Sequence, residues 1–273
     1  ALWAEGGGIA GIPKADPKAC PLKPEDIASN EDARSRWKLE AKEVHGDNAR
    51  MVAKRKSFIN KLWIGQKFAK YPAIYFPWQL DWRGRAYPVP TDLHPQGDDA
   101  ARAILEFAEA KQLGPDGLRW LTIHLANCLD FGKATFEERI ASVGHLSVGL
   151  EHNIRKWVAD PLANRGWIAP ENDNGDPEWD SWRALQAARD YIGAIDSGNP
   201  ATYMSRCPVS FDGSCNGLQH FSAMGLDEVG GKYVNLVPGA RPEDIYSAVA
   251  TVVNEKIGLD LENPPEGTTV EAI

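Results

Sequence analysis

Residues Phe211 to Met224 read FDGSCNGLQHFSAM, which sets a carboxylate between an apolar run and a glycine-rich turn. Pro208, Val209, Ser210 and Phe211 form the run, Asp212 ends it, and Gly213 to Gly217 make the turn. Leu218, Phe221, Ser222 and Gly225 then recur at helical spacing. The pattern predicts strand, turn and helix, with Asp212 at the strand end. A carboxylate held there suits a hard divalent cation, which takes carboxylate and carbonyl oxygens. The glycines let backbone approach a ligand closely. An aspartate that caps the following turn fits the spacing equally well. The same turn also fits a nucleophile elbow with Cys215 in place of serine, which would make an α/β-hydrolase-like enzyme. Against the elbow, the preceding run is short and contains a proline.

A second group could hold phosphates. Arg83 and Arg85 flank Gly84 within one short turn, and side chains two apart share one face of an extended strand. Two guanidiniums so placed bind phosphate bidentately. The competing reading is structural ion pairing with Asp81 or Glu106. Tyr87 reads as core or as a nucleic-acid contact. Gln96 reads as a loop cap or a polar contact to nucleic acid. Tyr246, beside Ile245, has the pattern of a core residue. His220 falls on the Asp212 helix and is assigned no catalytic role, because a lone helical histidine is usually packed and hydrogen-bonded.

The elements that must position these groups follow from periodicity and punctuation. Residues 1 to 28 are rich in Gly and Pro and read as loop. Their Gly6-Gly7-Gly8 run lacks the Gly-Lys-Ser/Thr ending of a phosphate loop. A helix starts at Ser29 or Asn30 and runs in two pieces to about Lys70, broken near Gly46-Asp47. Residues 71 to 89 read as short strands and turns. Helices are predicted over 98–110, 116–129 and 136–158, the last with Ile140, Val143, Leu146 and Leu150 on one face. Asp176 is set to cap a further helix running to about Ile195, with Pro177 in its first turn. Pro242-Glu243-Asp244 opens a last helix with Ile245, Val249 and Val252 or Val253 inward. Residues 258 to 273 look irregular.

Across 273 residues, 43% hydrophobic and 25% charged residues are ordinary for a globular chain with a sizeable core. No apolar stretch approaches the length of a membrane span. The four cysteines form no Cys-x-x-Cys pair, which favours reduced thiols and argues against zinc. The formal charge of −8 is unusual for a nucleic-acid binder, yet its distribution is uneven. Residues 33 to 70 carry eleven basic and three acidic side chains, a net of +8, which leaves −16 elsewhere. Such a stripe can neutralise phosphates or simply be a solvated helix face. A non-catalytic nucleic-acid-binding module is therefore a third reading.

Residues 212 to 224 closely resemble palm motif A of the single-subunit, bacteriophage-type RNA polymerases, a family shared by mitochondrial enzymes. Residues 76 to 87, FPWQLDWRGRAY, resemble that family's palm-entry motif, and His94-Pro95-Gln96-Gly97-Asp98 follows it. Leu121 to Cys128 and Asp227 to Gly231 match in order as well. The resemblance runs from about Gly6 to the last residue. It departs in two places. The fingers motif, Arg-x3-Lys followed by Tyr-Gly, has no full counterpart, and there is no His-Asp dipeptide for the second catalytic aspartate. The chain thus reads as an internal fragment of a longer polymerase.

The resemblance implies a fold, a site and a reaction. The fold class is an α/β (mixed α+β) polymerase right hand, incomplete, mostly helical with a small palm sheet. The domains are a loop and helical thumb segment over 1–71, palm over 72–228 and the start of the fingers over 229–273. Asp212 is the implied catalytic residue and, with the carbonyl of Gly213, the implied Mg²⁺ ligand, two ions completing the full site. Arg83, Arg85, Tyr87, Gln96 and Tyr246 become contacts to nucleic acid or nucleotide. The implied partners are DNA template, RNA product and ribonucleoside triphosphates, for a monomer without membrane attachment. The implied location is the cytoplasm of an infected bacterial host, or alternatively the mitochondrial matrix. Gly217 stands five residues past Asp212, where related DNA polymerases carry a glutamate that excludes the 2′-hydroxyl. Glycine there leaves room for ribose.

Overall fold

The computed structural model describes residues 2–145, 150–170, 177–210 and 212–262. Among the described residues helices dominate, with two small antiparallel sheets of two strands each. The chain divides into two compact units. The first holds residues 1–132 and 140–208, the second residues 133–139 and 209–273.

In the first unit, α1 (Glu31–Phe68) is one helix of 38 residues, not two. Gly46 costs a helix interior only about 1 kcal/mol, too little to break it against 37 other residues. Asn30 caps its start by accepting the Ala33 N–H at 3.0 Å. Two strands, β1 (Trp78–Leu80) and β2 (Ala86–Pro88), form a hairpin in which Leu80 faces Ala86. The helix expected over 98–110 shortens to α2 (Asp99–Ile104), capped by Asp98. Residues 111 and 112 instead form β3 (Lys111–Gln112), paired with β4 (Met204–Ser205). Next come α3 (Gly117–Cys128), α4 (Phe136–His145) and α5 (Leu150–Ala159). Both α4 and α5 fall within the single helix expected over 136–158, and residues 146–149, Leu146 among them, lie outside the described residues.

The core gathers around α6 (Ser181–Asp196), which packs on α2, α3 and α5. Ala184, Ala187, Ala188 and Ala194 are fully buried on α6, so neighbouring backbones approach closely. Leu125, Val143, Ile154 and Trp167 fill the space between them. The N-terminal loop joins this core through its aromatic side chain. Trp3 stacks on Phe58 with ring centroids 6.0 Å apart. Trp182 donates its indole N–H to the Ala10 carbonyl at 2.8 Å.

Asp180 occupies the N-cap position of α6, and its side chain makes no cap bond. The expected cap, Asp176, lies outside the described residues. Asp99 on α2 does the capping, accepting the N–H of Trp182 at 2.7 Å and of Arg183 at 3.0 Å. Burial outweighs these bonds and pushes the Asp99 carboxyl up to about 6 from 3.8. A raised folded-state pKa favours folding below the unfolded value and loses that contribution as pH rises from about 4 through 6. Asp99→Asn should therefore gain stability relative to the parent over that window, by up to about 3 kcal/mol at 1.36 kcal/mol per pKa unit. Denaturant titrations of both proteins at pH 4 and pH 6.5 read the difference. His124 acts with the opposite sign. Its burial lowers its pKa to about 4, so folding weakens as pH falls from 6.5.

The second unit holds α7 (Asn216–Gly225), α8 (Glu228–Tyr233) and α9 (Ile245–Glu262). The last helix continues past residue 258, where irregular chain was expected, and residues 263–273 lie outside the described part. Val249, Val252 and Val253 were expected inward and are exposed. Helical spacing marks which residues share a face, but only a packing partner buries that face.

Candidate active site

Asp212 sits in the second unit, exposed, directly before the α7 turn. Of the run expected as a strand ahead of it, Pro208 to Ser210 carry no strand, and Phe211 lies outside the described residues. A proline in a run this short removes a ladder donor, which works against strand pairing. Asp212 Oδ1 accepts the Gly213 N–H at 2.8 Å, and the Gly213 carbonyl accepts the Cys215 N–H at 3.1 Å. One Asp212 oxygen and one carbonyl lone pair on Gly213 are left for a ligand.

Cys215 carries the turn into α7 in the left-handed region, with φ of 66°. Tyr246 stands on the first turn of α9, and the Cys215 side chain raises its pKa. Tyr246 is 71% exposed, so it is not the core residue its pattern suggested. Asp244 caps α9, accepting the N–H of Tyr246 at 3.0 Å and the Ser247 hydroxyl at 2.9 Å. These bonds hold the Asp244 carboxyl below the usual range.

The Asp227-to-Gly231 block explains itself through packing. Asp227 caps α8 by accepting the Gly230 N–H at 3.0 Å. A Cβ on Gly230 would stand 2.5 Å from Asp227 Oδ2 and 2.8 Å from Ser222 Oγ. Glycine there keeps the cap intact while α8 packs on α7. Ser222 is the buried side chain of α7, whereas Leu218 and Phe221 are exposed.

Arg83, Arg85, Tyr87 and Gln96 come together in the first unit, at the β1–β2 hairpin. The residues between the strands form a turn, not an extended segment. Gly84 N–H donates to the Asp81 carbonyl at 3.0 Å, and Gly84 takes φ of 80°, a conformation that favours glycine. The two arginines therefore do not share a strand face. Arg83 folds back on Asp81 through Nε at 3.0 Å and Nη2 at 2.8 Å, as the ion-pair reading expected. The Arg85 backbone N–H also binds Asp81, at 3.0 Å, while its guanidinium makes no hydrogen bond or ion pair among the described residues and acts on Asp81 through its charge. These donors hold the Asp81 carboxyl below its ordinary value despite the opposing desolvation. Tyr87 is 36% exposed, with its hydroxyl 3.4 Å from Arg83 Nη2. Gln96 ties its loop to the hairpin by donating to the Ala86 carbonyl at 3.2 Å.

The elbow reading finds no support in this geometry. It needs a strand before Cys215 and a histidine base. Among the described residues the cysteine–histidine contacts join Cys20 to His45 and Cys128 to His124. Cys128 is buried, and its thiol is pushed up to about 12, which leaves it inert.

Residues 111–271 match the sequence model of the DNA-dependent RNA polymerase family. The chain belongs to that family. It is 38% identical over 265 residues to the DNA-directed RNA polymerase of Enterobacteria phage T3, covering 96% of this chain and 28% of that protein. It is 37% identical over 262 residues to T7 RNA polymerase of Escherichia phage T7, with 96% and 28% covered. It is 39% identical over 269 residues to the mitochondrial DNA-directed RNA polymerase of Neurospora crassa, with 97% and 18% covered. The chain thus spans about a quarter or less of the length of these polymerase relatives. Residues 212–224 and 227–231 fall inside the family match, and residues 76–87 precede it. Among the described residues no helix is long and apolar enough to cross a membrane.

Proposed function

We propose that this chain is part of a DNA-directed RNA polymerase and contributes one catalytic carboxylate and part of the nucleic-acid surface. The family match over residues 111–271, which contains Asp212, carries the reading. The reaction joins a ribonucleotide to an RNA 3′ end. The 3′-hydroxyl oxygen bonds to the α-phosphorus, the bond to the bridging oxygen breaks, and pyrophosphate leaves. Asp212 and the Gly213 carbonyl would hold Mg²⁺, and their free oxygens fit an ion that takes one or two carboxylates and keeps several waters. Among the described residues no group of three or more His, Cys, Asp or Glu is gathered as a complete metal site, so further ligands are required. Bound Mg²⁺ supplies charge that stabilises the attacking and leaving oxygens.

On this reading, residues 1–71 belong to the thumb, 72–228 to the palm and 229–273 to the start of the fingers, in a right-hand fold. Arg83, Arg85, Tyr87 and Gln96 contact the template strand and initiating nucleotides, and Tyr246 lies near the template base. DNA, RNA and ribonucleoside triphosphates are the partners of a monomeric enzyme. The ungapped motif blocks favour a phage enzyme acting in the infected bacterial cytoplasm, although the relatives include organelle enzymes.

The deciding assay is template-dependent RNA synthesis by the full-length reading frame that carries this chain, with Mg²⁺. No RNA from an intact protein refutes the reading. Sugar choice offers a narrower check. A side chain at Gly217 meets nothing within 4 Å, so Gly217→Glu should fold normally. It should lower ribonucleotide use by about tenfold or more relative to deoxyribonucleotides, because an added carboxylate crowds and desolvates the 2′-hydroxyl. Single-nucleotide incorporation with paired ribo- and deoxyribo-substrates reads the ratio.

A further inference from the structure

Asn235 follows α8 at the surface of the second unit, with φ of 57°. Left-handed backbone is unfavourable for most residues, and asparagine tolerates it best after glycine. Its side chain is fully engaged. Nδ2 donates to Ser214 Oγ at 2.8 Å and to the Glu243 carbonyl at 2.8 Å. Oδ1 accepts the Glu243 N–H at 2.8 Å. Ser214 is two residues past Asp212, and Glu243 precedes the Asp244 cap of α9. Next to it, the Val234 carbonyl accepts Gln219 Nε2 of α7 at 2.8 Å. One amide therefore bridges the turn after Asp212 to the start of the helix that carries Tyr246.

We propose that Asn235 is a positioning residue for nucleotide addition, fixing the Asp212–Gly217 turn in register with the start of α9 and so with Tyr246. This inference rests on the polymerase reading above. The side chain is exposed, so its removal leaves neither a cavity nor a buried unpaired group. A defect confined to catalysis separates positioning from general stability.

The test uses the full-length polymerase on a preformed primer–template. Asn235→Gly keeps the backbone conformation accessible while removing the amide. Ser214→Ala removes a single strap and guards against misfolding of the first variant. Asn235→Gly should lower kcat/KM for nucleotide addition by about tenfold, with melting temperature and template binding unchanged. Asn235→Asp, which retains the acceptor, should recover part of the loss. Because the clamp acts through Tyr246, combining Asn235→Gly with Tyr246→Phe should cost no more than the worse single change. Additive losses, or an Asn235→Gly enzyme as fast as the parent, would overturn the inference. If the parent makes RNA and Asp212→Ala does not, an unaffected Asn235→Gly condemns the clamp alone. If Asp212→Ala is also unaffected, the polymerase site itself is misassigned.

Discussion

Asp212→Ala in the full-length polymerase should lower template-directed RNA synthesis on the order of 10³-fold or more, equivalent to about 4 kcal/mol of transition-state stabilisation. The expectation follows from the charge the reaction develops. A carboxylate that holds a divalent cation next to the attacking and leaving oxygens cannot be replaced by a methyl group. Asp212→Asn should be nearly as defective, because an amide keeps the shape and loses the charge. The geometry also predicts little collateral damage. Asp212 is exposed, and its described bond is to the neighbouring Gly213 N–H, so melting should be unaffected. Cys215→Ala is the companion measurement. Among the described residues that side chain has no strand or histidine base beside it, so the variant should stay within about tenfold of the parent. An active Asp212→Ala enzyme together with an inactive Cys215→Ala enzyme would reverse the assignment.

The second large effect separates two arginines that look equivalent in sequence. The Arg83 guanidinium is held by Asp81 through two donors, whereas the Arg85 guanidinium acts on Asp81 through its charge without a hydrogen bond or ion pair among the described residues. A guanidinium outside an ion pair is available to phosphate without first breaking one. Arg85→Ala should therefore weaken template or nucleotide binding by about 30- to 160-fold, the range for a charge-assisted contact of about 2–3 kcal/mol. It should also reduce the salt slope of binding by about one. Arg83→Ala should lose less, because Arg83 pairs with Asp81 in the free protein. Arg85→Lys should recover only part, since an ammonium lacks the planar fork. Binding isotherms at several salt concentrations distinguish these outcomes. Equal losses for both arginines would mean that the Asp81 pair opens when nucleic acid binds.

The sequence determined where helices start when the signal was local. Asn30 and Asp98 each cap a helix three residues ahead of the donor they satisfy, so short-range chemistry was enough. The turn and helix after Asp212 and the turn around Gly84 were legible for the same reason, each being punctuated by glycine within a few residues, whereas the strand expected before Asp212 is not found at Pro208 to Ser210. The order of the motif blocks identified the family, which the comparisons bear out.

Tertiary structure decided what depends on residues far apart in the chain. Asp99 caps a helix that begins 82 positions later, at Ser181, and no local rule selects it over Asp176 or Asp180. Asn235 reaches back to Ser214 across 21 positions, and only the packed backbone brings the two together. Arg83 and Arg85 have the same side chain and spacing about Gly84, yet the turn hydrogen-bonds Asp81 to one guanidinium and not, among the described residues, to the other. Periodicity placed Val249 and Val252 on α9 without settling whether anything covers them. A pattern fixes which side chains share a face or a turn. Burial, pairing and pKa depend on what the rest of the chain brings against them.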